Sequence, residues 1–481
     1  MIALARAFPR RLFVNGASIF AGEASARLAT ILMAAVIARR FGSGALGEYG
    51  YALAITSILL VIPDLGLHLF AVRELSVDKR QLRDLFWNIH RLKFILTGAV
   101  IVFALFFGQL IVVDDRRALF YVLMARVVLQ TFSQASMTIF KAFERMEYVA
   151  LQQAFNSIVV VAWAGAALIL HARLPFVVIA LAVGQLTETL IGWRIIWSRF
   201  SPGAVPAWNN KILYTMLGIC VPIGITAILE AVNLRIDILV LGSFVSGRVL
   251  GEFQAAALFV VACFLIASLT LTVLFPKLSR VLRGQSVQGS AYILSLLKNS
   301  LLLTTLGSLV VWIAAPNIIF ILFGSDLTSA ATTLRILVPV LPLVFLNTIL
   351  FYVFLAARRR FVCMGTLAVG VGIGLVLCFY LSARYGAAGC AVADVAREFI
   401  ISGIYLYFLI QGNHARVVGM ALLKVFLGAT FLLLVAVLLT STMRHGDQWL
   451  AAWIICVLTG TLFSLGLPRR GEWRLLTDDR L

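Results

Sequence analysis

Charge is scarce in this sequence. Only 13% of its 481 residues are Asp, Glu, Lys or Arg, against 62% hydrophobic residues, and the mean hydropathy is +1.02. Soluble chains carry about 25% charged residues, so an ordinary soluble fold is excluded. Cysteine is thin as well. The six, Cys220, Cys263, Cys363, Cys378, Cys390 and Cys456, all lie in apolar runs without CxxC or Cys/His spacing, which leaves packing roles and no disulfide or metal signal. No A-x-A-like cleavage site follows the first apolar run, which is therefore expected to be retained as a helix. Long polar loops are missing too. The connections Asp114 to Arg117, His171 to Pro175, Phe323 to Ala330 and Arg384 to Gly386 leave no room for a catalytic domain. A membrane polymerase or ligase is disfavoured for that reason, and neither an enzyme nor a cofactor nor a metal is expected.

What the chain does contain is a series of apolar stretches near 20 residues long. A helix of that length rises about 30 Å, the thickness of the hydrocarbon, whereas a barrel needs short alternating segments. The spacing predicts an all-α integral membrane protein of about 14 transmembrane helices. The first six lie near 14–38, 47–72, 92–113, 118–140, 149–171 and 175–196. The rest lie near 211–243, 249–275, 299–323, 330–356, 362–382, 386–410, 418–442 and 448–466.

The formal charge of +19 does not imply nucleic acid. With the N-terminus placed inside, most of the 40 Lys and Arg fall on inner ends and loops, as orientation by basic residues requires. The clusters are Arg6/Arg10/Arg11, Arg73 to Lys93, Lys277 to Lys298, Arg358 to Arg360 and Arg469 to Arg480. They read as topology determinants and contacts with anionic membrane lipid, with both termini cytoplasmic. Between Asp78 and Arg91, charged residues interleave with Leu82, Leu85, Phe86 and Ile89, which suits a short helix lying at the headgroups.

One phrase occurs twice, Leu46-Gly47-Glu48-Tyr49 and Leu250-Gly251-Glu252-Phe253, at an offset of 204 residues. Phe140 to Phe143 corresponds to Phe354 to Ala357 at an offset of 214, and Glu188 to Glu398 at 210. These matches predict two six-helix bundles, 1–200 and 201–412, related by a pseudo-two-fold axis along the membrane normal. The remainder, 413–481, would supply two additional helices and a basic tail.

Ionisable groups in mid-span are the sharpest functional signal, since each costs about 2.5–3.5 kcal/mol at a helix centre. Glu23 and Arg27 stand four apart on the first span and could pair. The fourth span carries a polar stripe of Arg126, Gln130, Ser133 and Gln134, and the fifth adds Gln152 and Asn156. Such a stripe lines water or sugar, or hydrogen-bonds helices together. Glu230, Asn233 and Asp237 share a face of the seventh span, with Arg235 on another and Pro222 and Gly224 permitting a bend. Asp394, Arg397 and Glu398 share a face of the twelfth. Glu23, Glu188, Glu230, Asp237, Asp394 and Glu398 are candidates for ion coupling or for structural pairing. Asp64, between Pro63 and Leu65-Gly66, reads as a cap, a hinge or a ligand contact.

The stretch Ala38 to Tyr51, followed by Asp64-Leu65-Gly66-Leu67, resembles the N-terminal signature of polysaccharide-biosynthesis exporters. These are the Wzx-type flippases of the multidrug/oligosaccharidyl-lipid/polysaccharide exporter superfamily. The resemblance covers about the first 75 residues and extends, more weakly, to residue 410; Asn233 to Gly242 resembles the opening of the family's second lobe. It implies a V-shaped pair of helical bundles around a cavity, alternating access, and residence in the bacterial inner (plasma) membrane. The implied substrate is an undecaprenyl-pyrophosphate-linked glycan, for O-antigen, lipopolysaccharide or exopolysaccharide assembly. A polysaccharide polymerase and a chain-length regulator would be the protein partners. Arg27, Arg126, Arg235 and Arg397 would meet the pyrophosphate, because a guanidinium makes paired charge-assisted bonds to phosphate. Gln130, Gln134 and Asn156 would meet sugar. A flippase for the peptidoglycan precursor and a multidrug antiporter are the alternatives within the same superfamily.

Overall fold

The computed structural model describes residues 10–111, 114–206, 210–261, 287–357 and 359–411, and every element among them is helical. The chain divides into two compact units, Met1–Gln254 with Leu322–Asp326, and Ala255–Ile321 with Leu327–Leu481.

The first unit begins with α1, Arg10–Leu59. Fifty residues of straight helix would rise about 75 Å, more than twice the hydrocarbon thickness. The run is broken at Gly42, whose φ of 83° suits a residue without Cβ, and so forms two crossings. A second break follows in the short helices α2, Val61–Asp64, and α3, Leu67–Val77, which are separated by Leu65 and Gly66 in left-handed conformation. Then come α4, Leu82–Ile111, α5, Asp114–Ala142, α6, Met146–Ile169, and α7, Leu174–Ile195. Helices α8, Asn210–Asn233, and α9, Ile236–Leu241, complete the seventh expected span.

A helix over 247–261, α10, occupies the first half of the eighth expected span, 249–275, whose second half lies outside the described residues. In the second unit, α11 is Val287–Phe323. Helices α12, Ala330–Leu337, and α13, Val340–Ala356, meet at 40°. The last described helix, α14, Arg360–Ile410, is broken at Gly386 as α1 is at Gly42.

Among the described residues eight helices are long and apolar enough to cross a membrane, or nine if the bent pair is one span. Two of the eight, 60 and 49 residues long, hold the broken runs and so correspond to two expected spans each. The thirteenth and fourteenth expected spans lie outside the described residues. The chain is an all-α integral membrane protein. Large exposed side chains such as Leu28, Phe94, Phe106, Ile158, Val310 and Phe379 would be unfavourable in water and are at home against lipid.

The segment expected to lie at the headgroups does something else. Helix α4 starts at Leu82 and runs on into the third span without interruption. Its Leu85, Phe86 and Ile89 are buried in a core shared with Phe70, Phe140, Val149 and Ile196. Its polar side chains hold the chain that follows α7. Arg83 Nε donates to the Ala204 carbonyl at 2.9 Å, Trp87 Nε1 to Gly203 at 3.2 Å, and Arg91 Nη2 to Pro206.

The duplicated phrase has a direct packing role inside the first unit. A Cβ on Gly47 would overlap the Gly247 carbonyl and stand 2.8 Å from Gly251 N. One on Gly251 would overlap the Ser43 carbonyl and stand 3.1 Å from Gly47 N. Ser43 and Gly247 are themselves equivalent at the offset of 204, so the two copies meet reciprocally, backbone against backbone. Overpacking of this kind costs about 1–3 kcal/mol. Gly251→Ala should therefore lower the melting temperature of the detergent-purified protein, whereas Gly98→Ala, with nothing within 4 Å of the new methyl, should not. Equal melting temperatures for the two variants would contradict this contact.

Candidate functional site

The first unit places polar groups from four spans together. Helix α1 packs along α6, α5 packs against α7, and α6 against α7. The fourth-span stripe separates into two rows. Ser133 and Ser136 turn toward α6 and α7 and are fully buried. Arg126, Gln130 and Gln134, at i, i+4 and i+8, form a half-buried row on another face. Neither glutamine of that row makes a side-chain hydrogen bond among the described residues.

The buried row centres on Glu188. Its Oε1 accepts from Ser133 Oγ at 3.0 Å and its Oε2 from Asn156 Nδ2. Its backbone carbonyl accepts from Gln152 Nε2 at 2.8 Å, and Gln185 Nε2 donates to Ser133 Oγ at 2.7 Å. Four residues to either side of Glu188 stand Gly184 and Gly192. A Cβ on Gly192 would overlap Gln152 and Ser136, and one on Gly184 would lie 2.7 Å from Asn156 Oδ1. The Gly-x3-Glu-x3-Gly spacing on α7 is thus what admits amide side chains beside a buried carboxylate. No Lys, Arg or His stands within 4 Å of Glu188 among the described residues. Its nearby charge is Arg126, with which it interacts at longer range.

Arg126 belongs to a second group. Arg27 on α1, Arg126 on α5 and Arg235 at the α8/α9 junction act electrostatically on one another, and Tyr49 on α1 acts on Arg126 and Arg235. Among the described residues no carboxylate lies within ion-pair distance of any of the three guanidinium groups. Glu188 and Asp237 contribute only longer-range attraction. Three cations in one membrane-spanning region, with no carboxylate in contact among the described residues, leave a positive site.

The expected Glu23/Arg27 pair does not form. The Glu23 carboxylate instead accepts from Gln153 Nε2 at 2.9 Å. A glutamine on the neighbouring helix satisfies the acid, and Arg27 is left to the cluster. The expected common face of Glu230, Asn233 and Asp237 is also interrupted. Helix α8 ends at Asn233 and α9 begins at Ile236, so Asp237 lies beyond a break. Glu230 is exposed, and Asp237 is buried with its Oδ1 accepting from Ile238 N at 2.8 Å. The break frees Arg235 from the helical periodicity of α8.

In the second unit Asp394, Arg397 and Glu398 share a buried cluster on α14. Arg397 Nη1 stands 3.0 Å from Asp394 Oδ1 and its Nη2 3.3 Å from Glu398 Oε1. Asn347 Nδ2 on α13 donates to Glu398 Oε2 at 2.8 Å and to its carbonyl at 3.0 Å. Ser402 Oγ donates to Asn347 Oδ1 at 2.7 Å. Arg397 is committed to two carboxylates, unlike the arginines of the first unit.

Several contributors escape a sequence reading. Asn347 is detectable in retrospect, because it matches Ser133 at the same offset of 214 that relates Phe354 to Phe140. Gln185 and the flanking glycines carry a helical spacing signal around Glu188. Lys93 carries none. It closes a basic inner run in sequence, yet it is fully buried and pairs with Asp64 at 2.8 Å, with His68 on the other carboxylate oxygen. Asp64 is therefore an ion-pair member at the α2/α3 break. The described cysteines, Cys220, Cys363, Cys378 and Cys390, are buried and outside any disulfide among the described residues. No group of three His, Cys, Asp or Glu that could hold a metal occurs among the described residues.

Comparison with known proteins bears on this arrangement. No curated protein sequence matches the chain. Among solved structures, the lipid II flippase MurJ in an inward closed conformation superposes with a TM-score of 0.73 at 16% identity, over 94% of this chain and 99% of that one. The Vibrio cholerae MATE transporter VcmN in its bent form gives 0.56 at 13% identity, over 88% and 99%. A MOP superfamily transporter from Pyrococcus furiosus, described as having a binding pocket of reverse polarity, gives 0.61 at 14%, over 86% and 96%. At these identities the likeness is one of fold. The family described as polysaccharide biosynthesis protein matches residues 12–282, more than half of the sequence and the whole of the basic cluster. The chain belongs to the polysaccharide biosynthesis protein family.

Proposed function

We propose that the protein is a flippase. It carries undecaprenyl-pyrophosphate-linked oligosaccharide from the inner to the outer leaflet of the bacterial inner membrane by alternating access. The observation that carries this reading is the group Arg27, Arg126 and Arg235, which has no carboxylate in contact among the described residues. An unpaired cation in a spanning region is expensive, and three near one another repel. A site built so is stabilised by an anion, and a diphosphate brings more than one negative charge. The half-buried Gln130 and Gln134, on the same face of α5 as Arg126, supply amide donors and acceptors for sugar hydroxyls. A cationic drug would be repelled here, which disfavours a multidrug antiporter.

Glu188 is the better coupling group among the candidate carboxylates, because Asp394 and Glu398 share Arg397. The groups in contact with the Glu188 carboxylate are N–H and O–H donors, which favour the ionised acid in the resting site and do not supply the several oxygen ligands that a sodium ion needs, so a proton is the ion we assign to it. An anion seated on Arg126 would screen the positive field that Glu188 shares, so anion binding and proton uptake at Glu188 favour each other.

Arg27→Ala should abolish surface-polysaccharide export and cause the lipid-linked glycan to accumulate, with the protein at normal level in the membrane. Normal export in that variant would remove Arg27 from the site. In proteoliposomes, collapsing the proton gradient should slow translocation by the native protein and leave Glu188→Gln unaffected. A Glu188→Gln protein with full gradient dependence would eliminate Glu188 as the coupling group.

A further inference from the structure

The repeat contains an internal comparison. At the offset of 204, Tyr49 of the first Leu-Gly-Glu-aromatic phrase corresponds to Phe253 of the second. Both rings are buried, 1% and 0% exposed, so the two copies pack an aromatic ring alike and differ by one hydroxyl. That hydroxyl is a poor choice for packing alone. Tyr49 Oη is buried and has no hydrogen-bond partner among the described residues. Leaving such a group unsatisfied costs about 1–3 kcal/mol, and the Phe253 copy shows that the fold does not need it. The charged groups acting on Tyr49 are Arg126 and Arg235, which themselves have no carboxylate in contact among the described residues. A buried phenol donor with no acceptor therefore lies within electrostatic range of two guanidinium groups that, among the described residues, have no carboxylate in contact.

We propose that Tyr49 Oη, with Arg126 and Arg235, forms a binding site for one phosphate group, the hydroxyl donating to a phosphate oxygen that the two arginines also hold. The reading rests on the flippase assignment only for the source of that phosphate, the diphosphate headgroup of the carrier lipid. The chemistry of the site is common to a lipid headgroup and to free pyrophosphate. A hydroxyl donor adds to arginine a directional, uncharged contact, and the three donors come from α1, α5 and the α8/α9 break and act electrostatically on one another. Tyr49 is thus a recognition residue in a phrase whose second copy has only a packing role.

The test uses the purified full-length protein in detergent. Inorganic pyrophosphate should bind saturably to the native protein and at least about tenfold more weakly to Tyr49→Phe, the loss of one hydrogen bond to a charged group. The melting temperature of the unliganded variant should be equal to or above that of the native protein, because an unsatisfied buried hydroxyl has been removed. Unchanged affinity would overturn the proposal, as would a fall in the unliganded melting temperature or an absence of pyrophosphate binding by the native protein. A short-chain prenyl diphosphate should displace pyrophosphate and bind more tightly; failure to do so would overturn the lipid source. The two readings fail separately. Unchanged pyrophosphate affinity in Tyr49→Phe, with export lost in Arg27→Ala, would remove the Tyr49 site and leave the flippase. Weakened pyrophosphate affinity in Tyr49→Phe, with surface polysaccharide still exported at the normal level by cells that lack the protein, would leave the site and remove the flippase.

Discussion

Positive charge that cannot be neutralised by contact is the constraint around which the first unit is arranged. Arg27, Arg126 and Arg235 come from three separate places in the sequence and act on one another. Each has its nearest opportunity for pairing removed. Glu23, one turn from Arg27, is taken by Gln153. Glu188, within electrostatic range of Arg126, is held by Ser133 and Asn156. Asp237, on the helix that Arg235 caps, attracts Arg235 without an ion-pair contact and accepts from its own following amide. Neutral amides and hydroxyls thus hold Glu23 and Glu188, and the field of the three arginines is not cancelled by a carboxylate in contact among the described residues.

The two units use related polar hardware to different ends. In each, a carboxylate late in the repeat is bound by a polar residue at the same register, Ser133 to Glu188 and Asn347 to Glu398. The difference lies in the cation. Arg397 sits beside Glu398 and bridges it to Asp394, which closes the second cluster electrostatically. At the offset of 214, Arg126 corresponds to Val340, so the first unit has a cation where the second has an apolar side chain. Buried pairs of the Asp394/Arg397/Glu398 kind give little net stability but are costly to break, which suits a fixed structural role. An acid held by neutral donors, with its cation at a distance, is free to respond to a ligand.

Much of the fold was legible because hydropathy and the repeat are long-range signals that local irregularity does not erase. The spans from the first to the twelfth match described helices wherever they fall on described residues, and the corresponding carboxylates Glu188 and Glu398 were visible from the offset alone. What was not legible depends on which neighbour a side chain meets. An i, i+4 spacing suggested Glu23 with Arg27, and only the packing of α1 on α6 brings Gln153 to the acid. The break at Leu234 and Arg235 has no Gly or Pro to announce it; the bend expected from Pro222 and Gly224 is a different feature. Lys93 looked like one more basic residue at an inner boundary, and the 78–91 segment like a surface helix. Helix α4 instead carries both inward, where Lys93 meets Asp64 and where Arg83, Trp87 and Arg91 hold backbone carbonyls at 203–206.

We propose that the group Arg27, Arg126 and Arg235 receives a diphosphate for passage across the membrane. The most direct measurement is translocation, in proteoliposomes containing the purified protein, of one labelled oligosaccharide attached to a prenyl chain in two ways, through a diphosphate and through a neutral ether. We expect protein-dependent translocation of the diphosphate-linked glycan and none of the ether-linked one. Equal translocation of the two, or movement of the neutral lipid alone, would contradict the account.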